Sequence, residues 1–552
     1  MNSSTGREWS RRLAIQNAFG SLSCFAAYGN FGSFPLPTQD RLAALPPSLR
    51  YYTPSDGRKD ERTLRADVCV YGGTAGGVIA AVQAARLGRG VVLIEPSNHL
   101  GGMTSGGLSW TDYGNRAAVG GMALEVYQRI GKRYGIAEEL KFEPKIAEAV
   151  LNEMADEAGI VVRRQEFLKS VKMRGKKIVS LTTETGLTIE AKVFIDATYE
   201  GDLLAKAGVR HTIGREGNHI YRETINGVQV HDKHQFDVPV SPYIREGDPD
   251  SGLLPHINSS VEPTGTGDRR IQAYNFRLCV TTKPENRIPF AQPPDYDRRE
   301  YVLLERTIRA GSVQVFGKFD PIRNGKIDKN NHGAVSTDFI GMSDRWPEAG
   351  YRERDRIFRK HVNYQMGWFW FLCNDAKISA DIRNRMSQYG LCKDEFTETG
   401  GWPHQIYVRE GRRMVSDTVM TEHNCRCTIS AEDSVGLASY GMDSHNCQRV
   451  VIDGKVKNEG DVQVPVTKPY PVSYRAIVPR KGDCENLLVP VCLSCSHIAY
   501  GSIRMEPVFM MLGQSAAFAA HLAIQRNSSM QEVNYAELKP LLEKSGQVLR
   551  FA

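Results

Sequence analysis

A short apolar run, Asp67-Val68-Cys69-Val70-Tyr71, ends in the glycine cluster Gly72-Gly73-Thr74-Ala75-Gly76-Gly77, and nearly all of residues 78–88 are small or aliphatic. A second apolar run, Val91-Val92-Leu93-Ile94, ends in Glu95. The order strand, glycine turn, helix, strand, acid specifies a βαβ unit of about thirty residues, with Gly88 as the helix stop. Two parallel strands so close in sequence need the helix between them as a crossover, which commits this part of the chain to an α/β sheet.

The turn sits where a helix N-terminus offers free N–H groups and the positive end of its dipole, so its glycines let a pyrophosphate approach the backbone. Glu95 follows Gly72 by 23 positions, which places a carboxylate against ribose hydroxyls and disfavours a 2′-phosphate. Against G-x-G-x-x-G the turn reads Gly72-x-Thr74-x-x-Gly77. Thr74 replaces the middle glycine; its amide can still donate, and its hydroxyl is a candidate for one more bond to phosphate. The alternative is a glycine-rich turn that serves helix packing only.

Further along, Ile146, Val150, Met154 and Ala158 recur at helical spacing, Gly159 offers a stop, and Ile160-Val161-Val162 reads as a third strand. Residues 167–173, 177–183 and 187–191 alternate apolar and polar around Gly175 and Gly186, a small antiparallel meander. Val193-Phe194-Ile195-Asp196-Ala197-Thr198 reads as a separate strand returning to the main sheet. Residues 210–470 are richer in aromatics, Pro, Asn and Asp and lack clean periodicity. Near the end, residues 486–491 read as a core strand and residues 507–524 as an apolar helix with Pro507 at its start. The expected organisation is a leader and linker at 1–63, a nucleotide-binding domain at 64–209 completed by 471–552, and an inserted α+β substrate domain at 210–470.

Directly after Glu95 comes Pro96-Ser97-Asn98-His99-Leu100-Gly101-Gly102-Met103-Thr104-Ser105-Gly106-Gly107, a second donor-rich loop. Here the sequence resembles the Rossmann-like FAD-binding fold of the glutathione-reductase and succinate-dehydrogenase type. Residues 66–520 resemble the FAD-dependent oxidoreductase family that contains Gly-Gly-Met-Thr-Ser-Gly-Gly-Leu, here 101–108. The likeness extends through Ala273-Tyr274-Asn275-Phe276-Arg277, Ser336-Thr337-Asp338-Phe339-Ile340-Gly341, Met442-Asp443-Ser444-His445-Asn446 and Ser502-Ile503-Arg504-Met505-Glu506-Pro507. It implies FAD as cofactor, with Gly72 to Gly77, Glu95, Pro96, Gly101, Gly102, Met103, Thr104, Leu168, Ala197, Thr198, Met505, Glu506 and Pro507 as its contacts. A helix opened by Glu506-Pro507 would aim its N-terminus at the flavin C2 carbonyl, although a core helix that only closes the sheet uses the same residues.

On the substrate side, oxidation of C–OH needs a base for the hydroxyl proton, and histidine suits that role. His445 and His497 are the preferred candidates, with His332 behind them; each competes with a structural, hydrogen-bonded role. Arg409, Arg412 and Arg413 surround Glu410 and read either as a carboxylate clamp or as an internal salt-bridge network, and Arg504 as a substrate or flavin contact. Tyr274 and Tyr500 are candidate donors, and Trp368-Phe369-Trp370-Phe371 is either a sugar-stacking surface or a core helix. With no second glycine fingerprint, reoxidation falls to oxygen, a quinone or a protein carrier. The leading reading is hydride transfer from a small polar or carbohydrate-like substrate; a redox-neutral flavin-containing lyase or isomerase and an RNA-acting flavoprotein remain as alternatives.

Composition narrows the partners. Residues 1–65 hold nine Lys/Arg against five Asp/Glu, so most of the net +7 lies there and the body gives little support to a nucleic-acid or anionic-membrane surface. Ser10-Arg11-Arg12-Leu13 resembles a twin-arginine export signal, though no clean cleavage site follows, which leaves a cytoplasmic or exported location open. The longest apolar stretch, 507–524, is interrupted by Gly513, Gln514, Ser515 and His521, so no membrane span is expected. Cys425/Cys427 and Cys492/Cys495 are closely spaced pairs without zinc-spaced partners and read as structural thiols, with no metal.

Overall fold

In the computed structural model, which describes residues 45–551 apart from Asp56, the βαβ unit is β1 (Thr63–Tyr71), α1 (Ala75–Arg86) and β2 (Val91–Glu95). β1 pairs in parallel with β2 in the register Val68↔Val91 to Tyr71↔Ile94. α2 (Pro144–Glu157) leads into β3 (Val161–Arg164), which adds to β2 in parallel. β2 is buried along its whole length, as expected of a strand covered on both faces.

The meander is β4 (Leu168–Arg174), β5 (Lys177–Thr183) and β6 (Thr188–Asp196). The two strands expected at 187–191 and 193–198 are one. β6 runs unbroken beside β1 from Thr63↔Thr188 to Tyr71↔Asp196, and Lys192 at its middle projects outward to Asp67 at 2.7 Å. The first half of β6 pairs with β5, and its second half pairs with the short strand Leu487–Leu488, so two successive neighbours share one edge. The core strand expected at 486–491 is only those two residues. The sheet order is β3-β2-β1-β6-β5-β4.

Alternate residues of β1 face opposite cores. Val68 and Val70 join α1 on one face; Cys69 and Tyr71 join Leu168, Ile178, Leu181 and Ile189 on the other. Residues 278–392 contribute a five-stranded antiparallel sheet, β7 (Leu278–Thr281), β8 (Arg287–Ile288), β9 (Phe319–Pro321), β10 (Lys326–Lys329) and β11 (Gly390–Cys392), in the order β8-β11-β7-β10-β9. The aromatic run falls on α3 (Tyr351–Asn374), where Trp368, Phe369 and Phe371 are fully buried and the Trp368 indole donates to Val335 O at 3.1 Å. It is core. The chain ends with α4 (His497–Ile503) and α5 (Glu506–Arg526). By length and composition α5 is apolar enough to cross a membrane, but it is buried within the protein. The Arg11-Arg12 signal lies outside the described residues.

Candidate functional site

Thr74 is the N-cap of α1. Its hydroxyl accepts from Gly77 N at 3.2 Å and donates to Ala197 O at 2.8 Å. In this structure the hydroxyl caps the helix and ties it to the end of β6, where the sequence reading offers it to a phosphate. The N–H groups of Ala75 and Gly76 stand at the turn where a helix has no acceptor of its own. Around them the backbone is crowded. A β-carbon on Gly72, at φ +102°, would lie 2.7 Å from Thr198 N, and one on Gly77 would lie 1.9 Å from Gly72 O. Glu95 closes the turn, its carboxylate accepting from Gly73 N and Ser97 N at 2.6 Å each, and burial raises its pKa. Pro96 is half-buried beside it.

The second loop is bound to the first, because Gly101 N donates to Gly73 O at 2.7 Å. Gly101 and Gly102 both have positive φ, and a β-carbon on Gly102 would meet the Tyr199 hydroxyl at 2.4 Å. That hydroxyl accepts from Met103 N at 2.9 Å and donates to Glu506 Oε1 at 2.7 Å, while Thr104 Oγ1 donates to Glu506 Oε2 at 2.7 Å. Burial pushes Glu506 up to about 7 against these two hydrogen bonds. Met505 is the N-cap of α5, and Pro507 lies in its first turn. The helix N-terminus is thereby fixed beside the Gly101–Thr104 loop. Thr198 Oγ1 donates to Asp196 at 2.7 Å, inside the turn that follows β6. Leu168 is differently placed: its N–H and carbonyl are taken by the hydroxyls of Tyr71 and Tyr351 at 3.1 and 2.9 Å, and its side chain lies in the second core.

Three predicted substrate-side residues converge. His445 Nδ1 lies 3.0 Å from Asp338 Oδ2, and Asp338 Oδ1 lies 3.0 Å from Arg409 Nη1. His445 Nε2 faces Asp443 Oδ2 at 3.5 Å, and that carboxylate takes Arg504 Nη2 at 2.9 Å. Tyr407 joins the arginines: its hydroxyl accepts from Arg504 at 3.0 Å, and Arg409 lies 4.7 Å over its ring. Burial and Arg409 oppose charge on His445, but Asp443 and Asp338 outweigh them and its pKa is raised. Arg277 is paired with Asp328, its Nε 3.0 Å from Oδ1, and Asp112 brings a further carboxylate whose pKa burial raises against the field of Arg277. Asp338, Asp443, Asp112 and Tyr407 were not singled out from sequence, although the first two lie inside the blocks that carry the family resemblance.

The other candidates fall elsewhere in the network. His497 has both ring nitrogens occupied, by Glu410 Oε2 at 2.7 Å and Ser444 Oγ at 3.0 Å, and burial, with Arg413 and Arg215, presses it down to about 3. It has no nitrogen left for a substrate. His332 is half-buried, edge-on to His234 at 5.8 Å, and held near 4 chiefly by burial. Arg412 pairs with Asp202 and Arg413 with Glu216 and Glu410, the internal network rather than the clamp. The Tyr274 hydroxyl donates to Glu410 O, and Tyr500 is buried in the core. Cys492 and Cys495 turn their thiols to Thr198 O and Leu493 O, at 3.3 and 3.6 Å. An acidic trio, Glu143, Asp394 and Glu395, converges on one point, and the Lys326 ammonium fills it at 2.6, 2.7 and 2.5 Å.

The model of a family described as FAD dependent oxidoreductase matches residues 67–542. The chain belongs to that family. FAD is its cofactor, and the crowded glycines at the start of α1, with the N–H groups that a helix N-terminus leaves free, fit a pyrophosphate. No curated protein matches the chain. Among solved structures this oxidoreductase is similar to THI4 of Thermovibrio ammonificans, with 23% identity over 28% of this chain and 66% of that one, TM-score 0.22. It is also similar to L-proline dehydrogenase from P. horikoshii, with 17% identity over 34% and 63%, TM-score 0.24. A mutant of NikD, described as an unusual amino acid oxidase essential for nikkomycin biosynthesis, matches with 17% identity over 28% and 56%, TM-score 0.21. The chain spans less than two thirds of the length of each of these proteins.

Proposed function

We propose that this FAD-dependent oxidoreductase oxidises a C–H bond of a small, neutral, hydroxyl-bearing substrate of carbohydrate-like character. The observation that carries the reading is the placement of His445. Asp338 accepts from Nδ1–H and fixes the tautomer, which leaves Nε2 as the basic nitrogen, facing Asp443 at a distance too long for a good hydrogen bond. A substrate hydroxyl entering there would give its proton to Nε2, and Arg504, held by Asp443 and Tyr407, would orient the oxygen. Bound against residues 72–77, Glu95 and the 101–104 loop, FAD supplies the hydride acceptor, N5 of the flavin. Residues 210–470 would roof the substrate.

Charge balance supports the substrate class. Arg277, Arg409 and Arg504 each already face a carboxylate, of Asp328, Asp338 and Asp443 respectively. None is a free cation for an organic acid, whereas the carboxylates and Tyr407 present acceptors and donors to hydroxyl groups. The test is a visible spectrum of purified protein followed by anaerobic titration with alcohols, sugars and matched organic acids. The reading expects bound yellow flavin bleached by polyols and not by acids of the same carbon skeleton. Folded protein that stays colourless when given FAD, or bleaching by acids alone, defeats it.

A further inference from the structure

The thiols closest in sequence after Cys425 and Cys427, Cys492 and Cys495, are each engaged with a separate carbonyl. Two cysteines with no sequence signal meet instead. In the antiparallel pairing of β7 with β11, Gly390 lies opposite Thr281 and Leu391 opposite Val280. The next rung sets Cys392 directly across from Cys279, and their Sγ atoms are 3.8 Å apart. Directly opposed residues of an antiparallel pair have Cα atoms about 4.5–5.5 Å apart, inside the roughly 4.4–6.8 Å range of disulfides. Closing the bond therefore requires side-chain rotation and little movement of the strands.

We propose that Cys279 and Cys392 are a cross-linking site of this protein and form a cross-strand disulfide when the chain folds under oxidising conditions. Both thiols are fully buried, and the hydrogen bond to Cys392 together with burial keeps the Cys279 thiol protonated. Oxidation of the finished fold is thereby disfavoured, so the bond forms while β7 and β11 are pairing. The oxidant is a small-molecule disulfide such as oxidised glutathione. One cysteine attacks it as thiolate, releasing one glutathione thiol and leaving a mixed disulfide; the second cysteine displaces the other glutathione. The two cysteines lose two protons and two electrons, one S–S bond breaks and one forms. The link would tie β7 to β11 across the segment that carries α3, Asp328 and Asp338.

The experiment is production of the full chain in a host with an oxidising cytosol and in one with an ordinary reducing cytosol. Each preparation is quenched in acid, denatured, alkylated and digested without reductant for mass spectrometry. From the oxidising host, a peptide joining Cys279 to Cys392, lighter by two hydrogens than its two halves, is expected; from the reducing host, both residues should be alkylated. The oxidised protein should also melt several degrees above the same sample treated with reductant, a difference lost in Cys392→Ser. If Cys279 and Cys392 are fully alkylated in folded protein from the oxidising host, or either is joined to another cysteine, the proposal is overturned. The peptide map needs no variant, so a misfolded Cys392→Ser would not blunt the test.

Discussion

Gly513 of α5 sits so close to Gly76 of α1 that a β-carbon on it would lie 2.1 Å from the Gly76 carbonyl oxygen. The contact is reciprocal, since a β-carbon on Gly76 would lie 2.8 Å from Phe509 O. α1 and α5 are therefore held in backbone contact. Glycine to alanine in a helix interior ordinarily stabilises by about 1 kcal/mol. Here overpacking reverses the sign, and Gly513→Ala should destabilise by about 1–3 kcal/mol and lower the flavin retained on purification. Urea unfolding and the ratio of flavin to protein absorbance measure both; a stabilised, fully yellow variant would refute the packing argument.

Thr74 separates two readings of the fingerprint. Because its hydroxyl is committed to Ala197 O and Gly77 N, Thr74→Ala should cost about 1 kcal/mol of stability as a lost cap, and Thr74→Gly a similar amount or less. Neither should change FAD affinity by more than a few-fold. A fluorescence titration that shows a large loss of affinity at unchanged stability would mean that the hydroxyl serves the phosphate after all.

What was legible in the sequence is what local chemistry dictates. Strand, turn and helix around Gly72, and the helix after Pro507, are written in glycine placement and in periodicity over a dozen residues. The division of β6 was misread because Lys192 breaks the apolar pattern, and its exposed ion pair with Asp67 belongs to a neighbouring strand that no local rule supplies. The substrate-side cluster is harder still: Asp338 and His445 are 107 positions apart, and only tertiary structure tells His445, with a basic nitrogen exposed to Asp443, from His497, with none. Family blocks marked the neighbourhood; geometry carries the proposed roles.

Glu506 predicts a pH dependence of stability. Burial holds its carboxyl near 7 in the folded protein, whereas the unfolded chain releases the proton near 4.5. Between those values the folded state binds more protons, so stability falls as pH rises through the window and levels off above about 7. The effect is at most about 3 kcal/mol. Glu506→Gln removes the titration and should flatten the difference in urea midpoint between about pH 5 and about pH 8. An undiminished difference in the variant would assign the effect to another group.

His445 makes the corresponding prediction for catalysis. As a base it works unprotonated, and its pKa is raised above the ordinary 6.5 by Asp443 and Asp338 against burial and Arg409. kcat/KM should therefore fall on the acid side with a midpoint above 6.5. Asp338→Asn removes one of the two charges that hold the proton on and leaves Arg409 opposing it, so the acid limb should move to lower pH. The same change frees the imidazole tautomer, and kcat at the optimum should drop by about 10²-fold or more. Neutralising a carboxylate that merely braces the fold would lower expressed yield or melting temperature and leave the limb in place. A kcat/KM profile of Asp338→Asn with an unshifted acid limb would remove His445 from the role of base.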